Sequence, residues 1–116
     1  MTQSKASNRR AFLRRTAKRS SKASCRKGSL GLGPDLAIRV LDLSQGGLRL
    51  LVKAPLTVGQ DVEIGLLAPG GIREVLRKGK VVWSVPTAAG EHCVGVQFEK
   101  HLEYSMLSDL SSISSM

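Results

Sequence analysis

Short runs of the chain alternate apolar and polar residues, and clusters of turn-forming residues separate these runs. Residues 60–67 show the pattern most clearly: Val62, Ile64 and Leu66 point to one side of an extended chain, and the residues between them point to the other. Segments rich in Gly and Pro, such as residues 69–71, break the pattern and predict turns. The pattern predicts six strands, at residues 20–29, 36–43, 48–53, 60–67, 72–85 and 92–98. Within the fifth strand, Gly79 between two lysines predicts a bulge or bend.

After residue 98 the spacing of apolar residues changes from that of a strand to that of a helix. One helical face collects five apolar side chains, which predicts a C-terminal helix over residues 99–113: Leu102, Met106, Leu107, Leu110 and Ile113. Short strands separated by regular turns and followed by one helix predict an all-β fold with a C-terminal helix, built as a small antiparallel barrel over residues 20–98.

The turn between the second and third predicted strands reads D-x-S-x-x-G, from Asp42 to Gly47. Gly46 and Gly47 can adopt the positive φ that tight hairpin turns often need. Asp42 and Ser44 have short side chains that can bond to nearby backbone and still reach a ligand. Taken alone, the segment is typical of an ordinary hairpin, so the rest of the chain decides whether it has a function.

The length and composition limit the class of protein. With 116 residues and 41% apolar residues the chain is long enough for one domain with a modest core. No apolar run approaches the ~20 residues of a membrane span, and the N-terminus lacks the apolar region of a signal peptide. We therefore expect a cytoplasmic protein with no membrane span.

The residues that could carry out catalysis or bind a metal are few and scattered. Cys25 and Cys93 are too few for a disulfide framework, and no paired spacing joins them to His92 or His101 in a metal site, so buried thiols are expected. Asp42 has no partner carboxylate placed by the sequence, and neither histidine has a nucleophile beside it. The sequence therefore predicts no enzyme, no metal site and no cofactor.

Charge is concentrated at the N-terminus. Residues 1–30 carry ten Lys and Arg and no acid, whereas residues 31–116 carry eight bases and nine acids. Ten cations without counter-charges repel one another unless an anion compensates them. This favours a phosphorylated partner: a nucleic acid, an anionic lipid or a nucleotide.

The basic segment divides into two parts. Residues 1–8 are polar and small, which predicts a disordered tail. Residues 9–19 form an arginine arm that contains R-x-x-x-R twice, as Arg10/Arg14 and as Arg15/Arg19.

Four features in this order resemble a PilZ domain across residues 9–112: the R-x-x-x-R arm, the D-x-S-x-x-G hairpin, the strands G-K-V-V-W and G-V-Q-F, and a terminal helix. The resemblance implies a six-stranded Greek-key-type barrel with a C-terminal helix. It also implies a non-catalytic receptor that binds the bacterial second messenger cyclic di-GMP (cyclic diguanylate) and relays its concentration to a downstream protein partner.

The resemblance also implies the binding residues, which are Arg9, Arg10, Arg14, Arg15, Asp42, Ser44 and Gly47. Arg10/Arg14 is the preferred arginine pair because it flanks Phe12, with Arg9 and Arg15 as auxiliaries. Arg15/Arg19 remains the alternative pair, since it lies nearer the first predicted strand.

The chemistry of these residues fits the messenger. A guanidinium can bind phosphate, or bond to O6 and N7 of guanine. Asp42 can accept hydrogen bonds from N1–H and N2–H₂ of guanine, Ser44 can bond to phosphate or base, and Gly47 lets the backbone approach closely. Trp83 offers a stacking surface, although a half-buried barrel aromatic explains it equally well.

Two other functions fit parts of the sequence. A small barrel with a basic tail could bind RNA or DNA, but aromatics make up only 3% of the chain, which argues against stacking on single strands. A PilZ-like protein-interaction module that has lost nucleotide binding is the other alternative. We expect cyclic di-GMP rather than nucleic acid as the ligand.

Overall fold

A computed structural model describes residues 14–111 of the chain. In this part the chain forms seven strands and one short helix: β1 (Arg15–Thr16), β2 (Lys22–Lys27), β3 (Ala37–Ser44), β4 (Gly47–Val52), β5 (Asp61–Leu67), β6 (Val75–Pro86), β7 (His92–Phe98) and α1 (Tyr104–Leu110). The predicted class, an all-β fold with a C-terminal helix, is confirmed. The predicted number of strands is wrong: the sequence pattern predicted six strands, and the described residues form seven.

All seven strands belong to one antiparallel sheet in the order β1-β3-β4-β7-β6-β5-β2, and the sheet curls into a half-barrel. Strand β4 lies beside β7 rather than β5, so β4 to β7 have a Greek-key arrangement. Near the other end of the order, β2 approaches β3, since the Leu36 N–H donates to the Cys25 carbonyl at 2.8 Å. The curl gives the sheet an inner face, which holds the core, and an outer face.

The added strand, β1, comes from the arginine arm. It pairs with β3, with Arg15 opposite Leu43 and Thr16 opposite Asp42. Two residues are too few to show an alternating pattern, which is why the sequence did not predict this strand. The described sheet therefore begins at Arg15 rather than at residue 20, and β1 places Arg15 and Thr16 beside the D-x-S-x-x-G hairpin.

The core fills the inner face of the half-barrel. Alternate residues of the strands point inward, as the sequence pattern predicted: Leu48, Leu50 and Val52 from β4, Val62, Ile64 and Leu66 from β5, and Val94, Val96 and Phe98 from β7 are all buried. Leu107 and Leu110 of α1 join the same cluster. The helix therefore packs against the apolar core that the strands enclose.

Helix α1 is shorter than the segment predicted at residues 99–113. Glu103, before its first residue, has extended backbone angles, and so has Ser111 after its last residue. Leu102 is buried without being helical. The Lys18 N–H donates to the Leu110 carbonyl at 2.9 Å, so the arm hydrogen-bonds to the C-terminal end of the helix. Ile113 lies outside the described residues.

Gly79 has a different role from the predicted bend. It stays in register with Phe98 of β7, and the irregularity of β6 lies between Val81 and Trp83. A Cβ on residue 79 would lie 2.7 Å from the Gln97 carbonyl oxygen. Glycine is therefore needed there for close strand packing rather than for a bulge.

Candidate functional site

An open groove of about 470 Å³ lies beside the D-x-S-x-x-G hairpin. Its wall includes four residues predicted from the sequence: Arg14, Ser44, Gly47 and Trp83. Arg14 lies just before β1, Ser44 and Gly47 belong to the β3–β4 hairpin, and Trp83 belongs to β6, so the order of strands in the sheet brings them together. Gln97 and His101, which the sequence analysis did not single out for binding the messenger, also line the groove.

Asp42 lies behind Arg14 and is buried, with only 8% of the residue exposed. Arg14 Nη1 donates to Asp42 Oδ1 at 2.9 Å. Arg49 donates twice to the other oxygen, from Nε at 2.8 Å and from Nη2. Both carboxylate oxygens therefore accept hydrogen bonds from arginines, and the two guanidiniums with the one carboxylate carry a net charge of +1.

Arg49 is a further residue that the sequence motifs did not indicate. It lies directly opposite Asp42 across the β3–β4 hairpin, where opposite charges stabilise an antiparallel pair. The hairpin has a two-residue loop, so Ser44 pairs with Gly47, and counting outward from this pair leads to Asp42 and Arg49. The hydrogen bond to Asp42 raises the pKa of Arg49 above its already high ordinary value, so the guanidinium stays charged.

Ser44 and Gln45 fix the tip of the hairpin. The Gly46 N–H donates to Ser44 Oγ at 3.3 Å, so the serine hydroxyl keeps its own proton for another acceptor. Gln45 Nε2 donates to the Leu102 carbonyl at 3.0 Å, and the Leu102 N–H donates to the Gln45 carbonyl at 2.8 Å. The rim of the groove is thereby tied to the segment before α1.

The two glycines of the hairpin do not supply the positive φ that the sequence suggested. Neither Gly46 nor Gly47 is among the described glycines with positive φ. A Cβ on residue 47 would instead lie 2.2 Å from the carbonyl oxygen of Val96. Position 47 therefore requires glycine because β4 approaches β7 closely at this point.

The indole of Trp83 lies over Gly95 of the neighbouring strand. A Cβ on residue 95 would come within 2.3 Å of the indole Nε1, so glycine makes the space that the ring occupies. Trp83 is half-buried and lines the groove. It is thus both a packed aromatic of the sheet and a surface that a ligand can reach.

Arg15 does not line the groove. Its Nη2 donates to the hydroxyl of Tyr104 at 3.1 Å, and its guanidinium lies 5.1 Å from the centre of the Tyr104 ring. This hydrogen bond lowers the pKa of Tyr104, and the positive charge of Arg15 acts in the same direction. Arg19 is exposed in a turn, whereas Arg9 and Arg10 lie outside the described residues.

Residues 14–111 lack the side-chain cluster of a metal site and the helix of a membrane span. This part of the chain has no group of three or more His, Cys, Asp or Glu that could bind a metal ion. None of its helices has the length and apolar character needed to cross a bilayer.

Comparison with known proteins gives one family match and several structural matches. The model of the PilZ domain family matches residues 8–113. The structure of the K. pneumonia MrkH–c-di-GMP complex is similar, with a TM-score of 0.58 and 20% identity over 78% of this chain and 44% of that chain. The PilZ domain of YcgR from Escherichia coli, solved with c-di-GMP, has a TM-score of 0.57 and 18% identity over 88% of this chain and 86% of that chain. No curated protein matches the chain.

Proposed function

This chain belongs to the PilZ domain family, and from that premise we propose that it is a non-catalytic receptor that binds cyclic di-GMP in the groove beside the hairpin. The observation that carries the proposal is the convergence of Arg14, Ser44 and Trp83 on one groove. They lie up to 69 positions apart in the sequence. Two solved structures with a similar fold, one of them a PilZ domain, contain this messenger, which supports the choice of ligand.

The groove has the groups that a cyclic dinucleotide needs. Arg14 has a side chain that is 56% exposed, and it uses only one of its five N–H donors on Asp42. The remaining donors can bind a phosphodiester, or O6 and N7 of a guanine. The Ser44 hydroxyl can donate to a phosphate oxygen, and the Trp83 ring can stack on a base.

The position of Arg14 favours Arg10/Arg14 as the arginine pair that binds the messenger. Arg14 faces the groove, whereas Arg15 lies on Tyr104. In our proposal Arg10 and Arg9 reach the messenger from the arm, and Arg15 holds the arm to α1 instead of binding the ligand. Gly47 contributes by keeping β4 close to β7 under the groove.

The proposed output is a change of surface that a downstream protein partner recognises. Messenger bound to Arg14 would alter the chain just before β1, and the next residue, Arg15, contacts Tyr104 of α1. The helix and the arm are therefore the surfaces on which we expect the partner to read the bound state.

Calorimetric titration with cyclic di-GMP tests the proposal, with cyclic di-AMP as the competing ligand. Cyclic di-GMP should bind at a 1:1 or 2:1 ratio, and cyclic di-AMP should not. Arg14→Ala should weaken binding about 10- to 100-fold, since charge-assisted hydrogen bonds contribute ~1.5–3 kcal/mol each. Arg19→Ala removes the same charge from an exposed position in the same arm and should change the affinity less than about threefold.

Three results would contradict the proposal: absence of binding, equal binding of both dinucleotides, or equal losses from the two arginine variants. The salt dependence of the affinity distinguishes binding of cyclic di-GMP from binding of a nucleic acid. A ligand neutralised by a few arginines gives a shallow slope of affinity against salt, whereas a polynucleotide gives a steep one.

A further inference from the structure

Arg49 lies behind the groove and outside its wall, yet it makes more hydrogen bonds to Asp42 than Arg14 does. We propose that Arg49 is a positioning residue for messenger binding: it keeps the buried Asp42 carboxylate paired and so allows Arg14 to leave Asp42 for the ligand. The inference rests on the proposed function, because it concerns the same groove.

The two arginines hold Asp42 in unequal ways. Arg49 donates from two nitrogens to Oδ2, and its strand pairs with β3 on one side and β7 on the other. Arg14 makes one hydrogen bond, to Oδ1, and lies just before the two-residue edge strand β1. If one arginine moves when a ligand arrives, the geometry favours Arg14.

The burial of Asp42 makes the second arginine necessary. The Asp42 side chain is 12% exposed, and a buried carboxylate without a cationic partner is strongly unfavourable. While Arg49 stays in place, Asp42 keeps two charge-assisted hydrogen bonds after Arg14 departs. Without Arg49, Arg14 would be the only cation among residues 14–111 that bonds to the carboxylate, and it would be held there.

The hydrogen-bonding capacity of Asp42 supports this role. A carboxylate has about four acceptor positions, and Arg49 and Arg14 together use three of them. Asp42 can therefore accept from both N1–H and N2–H₂ of a guanine only after an arginine has moved. If Asp42 instead holds Arg14 and releases it to the messenger, Asp42 does not need to bond to the guanine.

The inference predicts an unusual pattern of variants. Arg49→Met should weaken cyclic di-GMP binding about tenfold or more, although Arg49 does not line the groove, because Arg14 stays on Asp42. Adding Asp42→Asn should then restore affinity to within about threefold of the parent, because the neutral amide no longer retains Arg14. Arg49→Lys keeps a cation beside Asp42 and should lose less affinity than Arg49→Met.

Arg39→Met is the matched control. Arg39 is exposed on β3, opposite Leu51, so this change removes one positive charge from a nearby position that does not contact Asp42. It should alter the affinity less than about twofold. Thermal unfolding checks that every variant is folded. If Arg49→Met does not fold, the single variant Arg49→Lys and the double variant Arg49→Lys with Asp42→Asn are compared instead.

The outcomes distinguish the inference from the function on which it rests. A parent protein that does not bind cyclic di-GMP overturns the proposed function and this inference with it. If the parent binds and Arg49→Met behaves like Arg39→Met, only the role of Arg49 is overturned. If the double variant binds no better than Arg49→Met, Asp42 itself contacts the messenger and the release of Arg14 is refuted.

Discussion

Replacing Gly47 with alanine tests why the last position of the D-x-S-x-x-G hairpin is a glycine. The glycine either allows β4 and β7 to pack closely or allows the ligand to approach the backbone. The added Cβ would lie 2.2 Å from the Val96 carbonyl oxygen and 3.2 Å from the carbonyl carbon. Contact between carbon and oxygen requires at least about 3.3 Å. Both neighbours are main-chain atoms of β7, so no side-chain rotation relieves the contact, and the two strands must separate by roughly 1 Å.

The cost follows from this separation. Overpacking costs about 1–3 kcal/mol, and a weakened strand hydrogen bond adds about 1 kcal/mol. Gly47→Ala should therefore lower the free energy of unfolding by about 2–4 kcal/mol. At roughly 4 °C per kcal/mol for a domain of this size, the Tm should fall by about 8–16 °C.

Gly33→Ala is the control for this prediction. A Cβ on residue 33 would meet only the backbone N and O of Lys27, both at 3.9 Å, and the residue does not have positive φ. Alanine should be neutral there, or stabilise by up to about 1 kcal/mol by restricting the unfolded chain. Urea unfolding followed by circular dichroism measures both variants. A Gly47→Ala protein within about 0.5 kcal/mol of the parent would refute the packing argument, and a loss of messenger binding alone would assign the glycine to the ligand.

Three further predictions follow from buried and paired side chains. Leu110, which is 2% exposed, packs α1 onto the core, so Leu110→Asp should destabilise by about 3 kcal/mol or more in urea unfolding; an unchanged midpoint would show that this face is exposed. Burial, aided by a nearby carboxylate, raises the pKa of the Cys25 thiol to about 12. Iodoacetamide at pH 8 should therefore alkylate the half-exposed Cys93 and spare Cys25 until the protein unfolds. Equal labelling of the two cysteines in the folded protein would contradict this prediction. Arg15 lowers the pKa of Tyr104, which is the only tyrosine of the chain. A pH titration followed by absorbance at 295 nm should therefore show a midpoint below the ordinary value for tyrosine, and this midpoint should rise in the Arg15→Gln variant. An identical midpoint in both proteins would refute the contact.

The Tyr104 contact also fixes the sign of a pH effect on stability. At pH values between the lowered pKa in the folded protein and the ordinary pKa in the unfolded chain, the unfolded chain binds more protons. The contribution of this contact to stability should therefore increase with pH across that window, and it should be complete above the ordinary pKa.

The sequence predicted the elements that depend on local pattern. Six strands and the hairpin from Asp42 to Gly47 were predictable because alternation and turn residues are local signals. The cross-strand pair of Asp42 with Arg49 was also within reach, since the two-residue loop determines the register. Counting outward from Ser44 and Gly47 would have identified it.

Other features depend on contacts that no local pattern contains. Strand β1 is two residues long and takes its structure from β3. The contact of Arg15 with Tyr104 joins residues 89 positions apart, so an R-x-x-x-R pattern cannot show which arginine faces the groove. The need for glycine at residue 95 arises only because the Trp83 ring lies over it.

The fluorescence of Trp83, the only tryptophan of the chain, tests the central claim most directly. The indole lines the groove beside the hairpin, so cyclic di-GMP bound there must change its surroundings. We predict a saturable change in emission with cyclic di-GMP, at the concentration range of the calorimetric transition, and no change with cyclic di-AMP. Calorimetric binding of cyclic di-GMP with unchanged Trp83 emission would place the messenger elsewhere on the protein and contradict the account.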